Sequence, residues 1–509
     1  MRQCMAHYNN NAVLIKRQLL VSIIKLLLED KLEDEVDRIP YEMTKGADYE
    51  SIRCCVYHDR SILKTRILAR LGFSIEDYIE DGSSLVPQVR KALKRKKIEG
   101  PILTVLDEAC NACIKTQYLI TDACQGCLAR PCTMNCPKKA ISFSRNRADI
   151  DKAKCINCGI CLQACPYHAI IKIPVPCEEA CPVDAIAKDN DGKERIDFTK
   201  CVFCGNCIRT CPFGAMMDKS QIVDVINAMK SGKKLSAMIA PAIAGQFRAT
   251  LEKLVGALKQ AGFDEVYEVA LGADITARKE AEEFAERMER DESFMTTSCC
   301  PSYIEMVKKH LPDLKSHVSN TRTPMHYTAE IAKKDHPDYG RVFIGPCLAK
   351  RKEGIDDPLI DYVLTAEEIG ALFTAMDINV MEAEDGIAAG GNARKEGRSF
   401  PWSGGVAEAV KLNLKAISQF KSVPASGRGK NDSKTVLVDV MSSFEPVRID
   451  GFTKEGVQTL KDWSLGYNTG TILEVMACPG GCISGPMVIA NPKIALNQVK
   501  KLAEEGSHE

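Results

Sequence analysis

Residues 155–166 read CINCGICLQACP, and residues 201–212 read CVFCGNCIRTCP. Both are the run Cys-x2-Cys-x2-Cys-x3-Cys-Pro, and this run decides the fold of the middle of the chain. Two-residue gaps wrap a loop around a cubane, so that three sulfurs aim at three irons of a [4Fe–4S] cluster. The fourth Cys, followed by Pro, sits where the chain turns away and ligates the neighbouring cluster. Zinc is the competing metal, but zinc ribbons use pairs of knuckles, not three consecutive steps with a trailing Cys-Pro.

Upstream, Cys124-x2-Cys127-x4-Cys132-x3-Cys136-Pro is a variant with two extra residues before its third Cys. Paired with the Cys155 run, it resembles a two-cluster ferredoxin. The ligand swap then gives one cluster to Cys124, Cys127, Cys132 and Cys165, and the other to Cys155, Cys158, Cys161 and Cys136. Cys177-x3-Cys181-Pro keeps only the tail of a run, and Cys181 completes the cluster of Cys201, Cys204 and Cys207. Cys110, Cys113, Cys177 and Cys211 are left over. They hold a fourth cluster, or they are the unligated remnant of a decayed repeat. The module thus carries three or four [4Fe–4S] clusters, and a series of them forms a conduit for electrons between the surface and a buried site.

The chain has 24 cysteines, of which only Cys4, Cys54 and Cys55 precede this region; they follow no ligand spacing and read as ordinary thiols. A length of 509 residues predicts two to four domains. Lys plus Arg and Asp plus Glu both count 68, a balance that argues against nucleic-acid binding. The segment 14–30, LIKRQLLVSIIKLLLED, is interrupted by Lys16, Arg17 and Lys25, so it neither spans a membrane nor resembles a cleaved signal. No membrane insertion and a reduced, cytoplasmic setting are expected, with thiolates used as metal ligands.

Three regions follow. Residues 1–100 read as a helical N-terminal domain, with Leu19, Leu20, Ile23, Ile24, Leu27 and Leu28 at helical spacing. Residues 101–218 are an α+β ferredoxin-like cluster module. Residues 219–509 form a large α/β domain: 236–243, 341–347, 434–441 and 471–478 read as buried strands, and 275–290 and 406–417 as amphipathic helices. The Gly-rich, charged stretch 388–405 reads as an irregular loop.

The α/β part holds five more cysteines in three pieces: TSCCPSY at 297–303, GPCLAKRKE at 345–353 and EVMACPGGCISG at 474–485. Each lies near the end of a predicted strand, where a scaffold can aim ligands at one point. A thiolate is a soft ligand suited to a redox iron cluster.

These pieces resemble the three signatures of the [FeFe]-hydrogenases, written TSCCPxW, MPCxxKxxE and ExMACxxGCxxGGG, and the resemblance covers roughly residues 100–490. It implies a divergent branch of monomeric, anaerobic enzymes with N-terminal ferredoxin-like clusters. Their activity is the reversible oxidation of dihydrogen, with a ferredoxin or similar carrier as electron partner and maturation proteins to load the active site. It also implies an H-cluster: a [4Fe–4S] cluster on Cys300, Cys347, Cys478 and Cys482, with Cys482 sharing its sulfur with a two-iron unit that carries CO, cyanide and a dithiolate bridge. In the family scheme Lys350 hydrogen-bonds a cyanide, as an ammonium donor can, and Met476 packs beside the two-iron unit. Cys299 passes protons to the bridge amine, a role suited to a thiol whose pKa its surroundings adjust. The onward relay uses two glutamates and a serine, with Glu280, Glu283, Ser319 and Glu353 as candidates. Glu280 and Glu283 share a helix face, although ARKEAEEFAERMER is also what a solvated, charged helix looks like. SGGVAEA at 403–409 matches a further family segment, a tight backbone approach near the cluster.

Three departures stand out. Tyr303 replaces Trp, Gly345 replaces the Met before Pro-Cys, and ISGPM follows Cys482 in place of a glycine-rich end. Two other readings remain open: a dihydrogen sensor, which the lack of a signalling extension after residue 490 disfavours, and a hydrogenase-like iron–sulfur assembly or electron-transfer protein without the two-iron unit. Cys299, Lys350 and Met476 disfavour the second, because they serve that unit alone. No GxGxxG or P-loop run points to a nucleotide.

Overall fold

The computed structural model describes residues 10–46, 49–75, 83–110, 113, 115–144, 146–290, 292–421, 445–466 and 471–505. Cys4 and the strand expected at 434–441 lie outside the described residues. Among the described residues no helix is long and apolar enough to cross a membrane.

The N-terminal region is helical, with Asn11–Leu28, Val56–Arg70 and Val86–Lys94 as its longer elements. The first helix starts where the Asn10 side chain accepts from the Val13 N–H, and it buries Leu19, Leu20, Ile23, Ile24 and Leu27 along one stripe.

Between residues 103 and 218 the chain builds two similar layers, one inside the other. The outer layer opens with strand β1 (Leu103–Val105). The inner layer then runs β2 (Gln117–Ile120), helix Pro131–Met134, β3 (Ile141–Ser144), β4 (Arg147–Ile150), helix Ile160–Ala164 and β5 (Ile170–Ile173). The outer layer resumes with helix Pro176–Glu179, β6 (Ile186–Lys188), β7 (Glu194–Ile196), helix Asn206–Thr210 and β8 (Met216–Asp218). Antiparallel pairing of β2 with β5 closes the inner layer, and pairing of β1 with β8 closes the outer one. Each layer therefore repeats strand–helix–hairpin–helix–strand, and the inner one fills the chain between Cys113 and Cys177.

Beyond residue 218, strands β9 (Leu235–Ile239), β10 (Glu265–Glu268), β11 (Phe294–Thr296), β12 (Gly340–Gly345), β13 (Tyr362–Thr365), β14 (Val447–Asp450) and β15 (Thr471–Met476) alternate with helices. They form two all-parallel sheets, ordered β10-β9-β12-β13 and β11-β15-β14. Every residue of β9, β13 and β15 is buried, as expected for parallel strands covered on both faces. The stretch 388–404 is irregular apart from one turn of helix, Lys395–Arg398, and the helix Gly405–Lys421 follows it.

The apolar stripe of the first helix joins the same core as Ala237 and Met238 of β9 and Val342 and Ile344 of β12. A fully buried ionic chain ties all three regions together. Asp218 Oδ1 accepts from Arg70 Nη1 at 2.9 Å and Asp218 Oδ2 from Arg351 Nη1 at 2.8 Å, while Arg351 also pairs with Glu368.

Candidate active site

Strands of a parallel sheet open a crevice at their C-terminal ends, and the three cysteine pieces leave from three such ends. Cys299 and Cys300 follow β11, Cys347 follows β12, and Cys478 and Cys482 follow β15. All five, with Lys350 and Met476, line one cavity. The rest of its wall is apolar and includes Ala240, Pro241, Val269, Pro324, Met325, Phe343 and Phe400. Four thiols set around empty space fit a cubane, and the remaining apolar volume beside one ammonium fits a further anionic metal group.

Glu280 and Glu283 lie on the helix Val269–Glu289, as the spacing predicts, but in different surroundings. Glu280 is completely buried, and its Oε1 accepts from the N–H and hydroxyl of Ser298 at 3.0 and 3.1 Å. Burial pushes its pKa up to about 7, against the opposing pull of those two bonds. Cys299 adjoins it electrostatically: burial and then the Glu280 carboxylate push the thiol pKa up. Glu283 accepts from Ser319 Oγ at 2.7 Å, Asn320 N at 3.0 Å and Arg287 Nη2 at 2.8 Å. Its burial opposes ionisation, but these donors prevail and its pKa is lowered. Glu353 belongs elsewhere. It pairs with Lys350 at 2.8 Å and with the Thr323 hydroxyl. Burial alone would lower the Lys350 pKa, and Glu353 turns the net shift upward, so the ammonium at the cavity wall stays charged.

Gly345 has a local cause. A Cβ there would lie 2.4 Å from the Phe343 ring, which fills the space and lines the cavity. Tyr303 is fully buried, with its hydroxyl donating to Thr296 Oγ1 at 2.9 Å. After Cys482, a Cβ on Gly485 would meet the Pro346 carbonyl at 2.4 Å, so the loops carrying Cys347 and Cys482 touch through backbone. The 403–409 segment is held by Glu474, whose oxygens accept from Gly404 N at 2.6 Å and Ala407 N at 2.7 Å. Ser298, Phe343 and Glu474 were not among the candidates, though Ser298 and Glu474 sit inside the quoted signatures.

The sixteen cysteines of the nested layers fall into four groups. One cavity is lined by Cys124, Cys127, Cys132 and Cys165, and another by Cys136, Cys155, Cys158 and Cys161. Around Cys207 the charged neighbours include Cys204, Cys201 and Cys181, whereas those of Cys177 are Glu194, Cys211, Cys110 and Cys113. The leftover four therefore come together. Within each Cys-Pro-x-x-Ala turn of Cys136, Cys181 and Cys211, the Ala N–H donates to the sulfur at 3.2, 3.2 and 3.3 Å. Donors of this kind stabilise a ligating thiolate and tune a cluster. Gly159 and Gly205, at φ 80° and 79°, start the short helices that carry Cys161 and Cys207. Cys54 and Cys55 are exposed at the start of the helix Val56–Arg70.

Residues 233–486 match the family model for the iron only hydrogenase large subunit, C-terminal domain. Residues 176–215 match a 4Fe-4S dicluster domain and residues 148–171 a 4Fe-4S binding domain. Iron hydrogenase 1 of Clostridium pasteurianum is 28% identical over 420 residues, covering 71% of this chain and 70% of its own. The periplasmic [Fe] hydrogenase large subunit of Nitratidesulfovibrio vulgaris is 29% identical over 374 residues, covering 66% and 85%. A solved [FeFe]-hydrogenase aligns over 53% of this chain and 83% of its own at a TM-score of 0.42 and 24% identity. The cytosolic Fe-S cluster assembly factor NAR1 of Kluyveromyces lactis is 24% identical over 268 residues, covering 43% and 57%.

Proposed function

The chain belongs to the iron-only hydrogenase family, and from that premise we propose that it interconverts dihydrogen with protons and electrons. One observation carries the reading. Cys299, Lys350 and Met476, which a cubane does not need, face the same cavity as Cys300, Cys347, Cys478 and Cys482. The four thiolates would hold the cubane, with Cys482 bridging to the two-iron unit and Lys350 donating to its cyanide. When bound, that unit supplies the metal and the bridge base for heterolytic cleavage. The chain's part is the proton path: Cys299 holds a proton at its Sγ beside the cavity, and Glu280 exchanges it in a dry setting. Glu283 with Ser319, one helical turn away, stands at the solvated end.

Four cubanes in the nested layers would carry the electrons. Cys204 shares the active-site cavity, so a cluster on Cys181, Cys201, Cys204 and Cys207 would lie next to it. Cys177 neighbours Cys207, so the Cys110, Cys113, Cys177 and Cys211 cluster comes next. Asn157 donates to the Thr116 carbonyl at 2.9 Å, which brings the Cys155 loop close to Cys113. A cluster on Cys124, Cys127, Cys132 and Cys165 would then be outermost.

The test is the infrared spectrum of anaerobically matured protein in the region of metal-bound CO and cyanide, with iron content. The expected result is sharp bands with about 22 irons per chain; three nested cubanes would give about 18. If fully matured protein keeps its cubanes without such bands, the iron–sulfur assembly or electron-transfer role that the match to an assembly factor suggests takes its place.

A further inference from the structure

Five arginines are buried among the described residues. Four of them sit against carboxylates: Arg70 on Asp218, Arg287 on Glu283, Arg351 on Asp218 and Glu368, and Arg398 on Glu268. Arg66 has no such partner among the described residues. Its Nη2 donates to the Phe213 carbonyl at 2.8 Å, and its Nε is buried without an acceptor. Asp59, two turns earlier on the same helix, is occupied by the Tyr49 hydroxyl and the Ile52 N–H, both at 3.0 Å. A buried cation without a counter-charge is costly, and the surroundings of Arg66 point to what balances it. Ile62, Arg66 and Ala69 share a face of the helix Val56–Arg70. Ile62 and Ala69 belong to the same core as Cys110 and Cys177, with Cys113 and Cys211 packed against it. Phe213 and Gly214 lie in the Cys-Pro-x-x-Ala turn of Cys211, and a Cβ on Gly214 would be 3.3 Å from Arg66 Nη2 and 3.5 Å from Lys16 Cε. Lys16, also buried, donates to the Met216 carbonyl at 3.1 Å and forms no ion pair among the described residues. Arg53 completes the set. Its guanidinium lies 4.7 Å over the Phe213 ring, and its Nη2 donates at 3.1 Å to the carbonyl of Ala109, beside Cys110. Of the charged groups around Arg66, Cys211 acts on it most strongly. Glu194, the carboxylate that acts most strongly on Cys177, is itself paired with Lys188 at 2.8 Å.

We propose that the helical N-terminal region is an electrostatic cap that raises the reduction potential of the cubane on Cys110, Cys113, Cys177 and Cys211, with Arg66 as its central charge and Lys16 and Arg53 beside it. This role presupposes the fourth cubane of the nested layers and is independent of the two-iron unit. Reduction adds one electron from a neighbouring cubane, so the cluster with its thiolates becomes one unit more negative; no bond changes and no proton moves. Fixed cations held away from water stabilise that reduced form more than the oxidised one. The row thereby gains a place where an electron is held between the active site and the outer clusters.

The experiment is an EPR-monitored redox titration of the full chain with its cubanes loaded and without maturation. Cys177→Ser identifies the signal of this cubane by its loss. Arg66→Met keeps apolar bulk and removes the charge. It should lower that midpoint so that about tenfold less of the cubane is reduced at a fixed potential, a fall of about 59 mV for one electron. Arg66→Lys should stay near the parent, with the other cubanes unmoved and iron content unchanged in both variants. Lys16→Met removes a second charge of the same set and should lower the same midpoint, so it carries the test should Arg66→Met lose iron. An unmoved midpoint in fully loaded Arg66→Met or, failing that, in Lys16→Met overturns the cap. An equal fall in Arg66→Lys, or an equal shift of every cubane, overturns it as well. If Cys177→Ser removes no signal, the fourth cubane and the cap fail together, whereas the hydrogenase reading stands or falls separately on the metal-bound CO bands of matured protein.

Discussion

Glu280→Gln probes the proposed proton path at its most enclosed point. Glu280 Oε1 is held by Ser298, and Oε2 is buried with no hydrogen-bond partner among the described residues. A pKa of about 7 keeps the group divided between acid and base near neutrality, where proton exchange is most efficient. Glutamine keeps the shape and the acceptor toward Ser298 but has no proton to pass. Removing one positioned acid–base group costs about 10²–10⁴ in rate, read as dihydrogen evolution from reduced methyl viologen by matured protein. Unchanged iron content and CO bands show that the variant is loaded. Stability offers a second readout. A glutamate with an ordinary value of 4.5 that titrates near 7 when folded binds its proton more tightly in the native state. Its favourable contribution is complete below pH 4.5 and is lost as the pH rises through 7. The whole span is worth about 3 kcal/mol, undiminished by solvent because the group is fully buried. Relative to the parent, Glu280→Gln should therefore gain stability between pH 5 and pH 8, measured by urea unfolding at each pH. Full activity in a loaded variant at pH 7 would refute the assignment of Glu280 to the path.

Asp218→Ala strands Arg70 in the core and leaves Arg351 with Glu368 as its one carboxylate, and breaking a buried ionic chain of this kind costs about 3–5 kcal/mol; an unchanged urea midpoint would show that the chain holds nothing together. Cys177→Ser should lower iron content by about four per chain and remove one cubane EPR signal, whereas a decayed remnant would lose neither. Gly345→Met drives its side chain into the Phe343 ring and should cost about 1–3 kcal/mol by overpacking. Adding Phe343→Ala should restore most of that stability, and failure of this rescue would mean that the ring does not set the choice of glycine.

Spacing made most of the grouping of the cysteines legible, because a cubane needs its sulfurs at short, fixed intervals along the backbone. The same logic left Cys110, Cys113, Cys177 and Cys211 undecided, since the chain between Cys113 and Cys177 is long enough to hide any relation. Pairing of β1 with β8 and of β2 with β5 supplies what spacing lacked: that gap is a complete inner layer. The helix face of Glu280 and Glu283 was also legible from periodicity, but their difference was not. It comes from Ser298 on one side and from Ser319 and Asn320 on the other, all distant in sequence; of the partners of Glu283 only Arg287, four residues on along the same helix, could be read from the spacing. Gly345 is an intermediate case. Phe343 and Gly345 are two residues apart on β12 and so share a face, which makes the exchange of bulk between them readable once the strand is known. Nesting has a physical consequence for the conduit as well. The inner layer joins the outer one through adjacent chain ends at Thr116 and Val175, so it would lengthen the proposed row of clusters without touching the loop where Gly205 meets Pro486. The contact next to the active site and the outer end of the conduit are thus set by different residues, and each can vary while the other is kept.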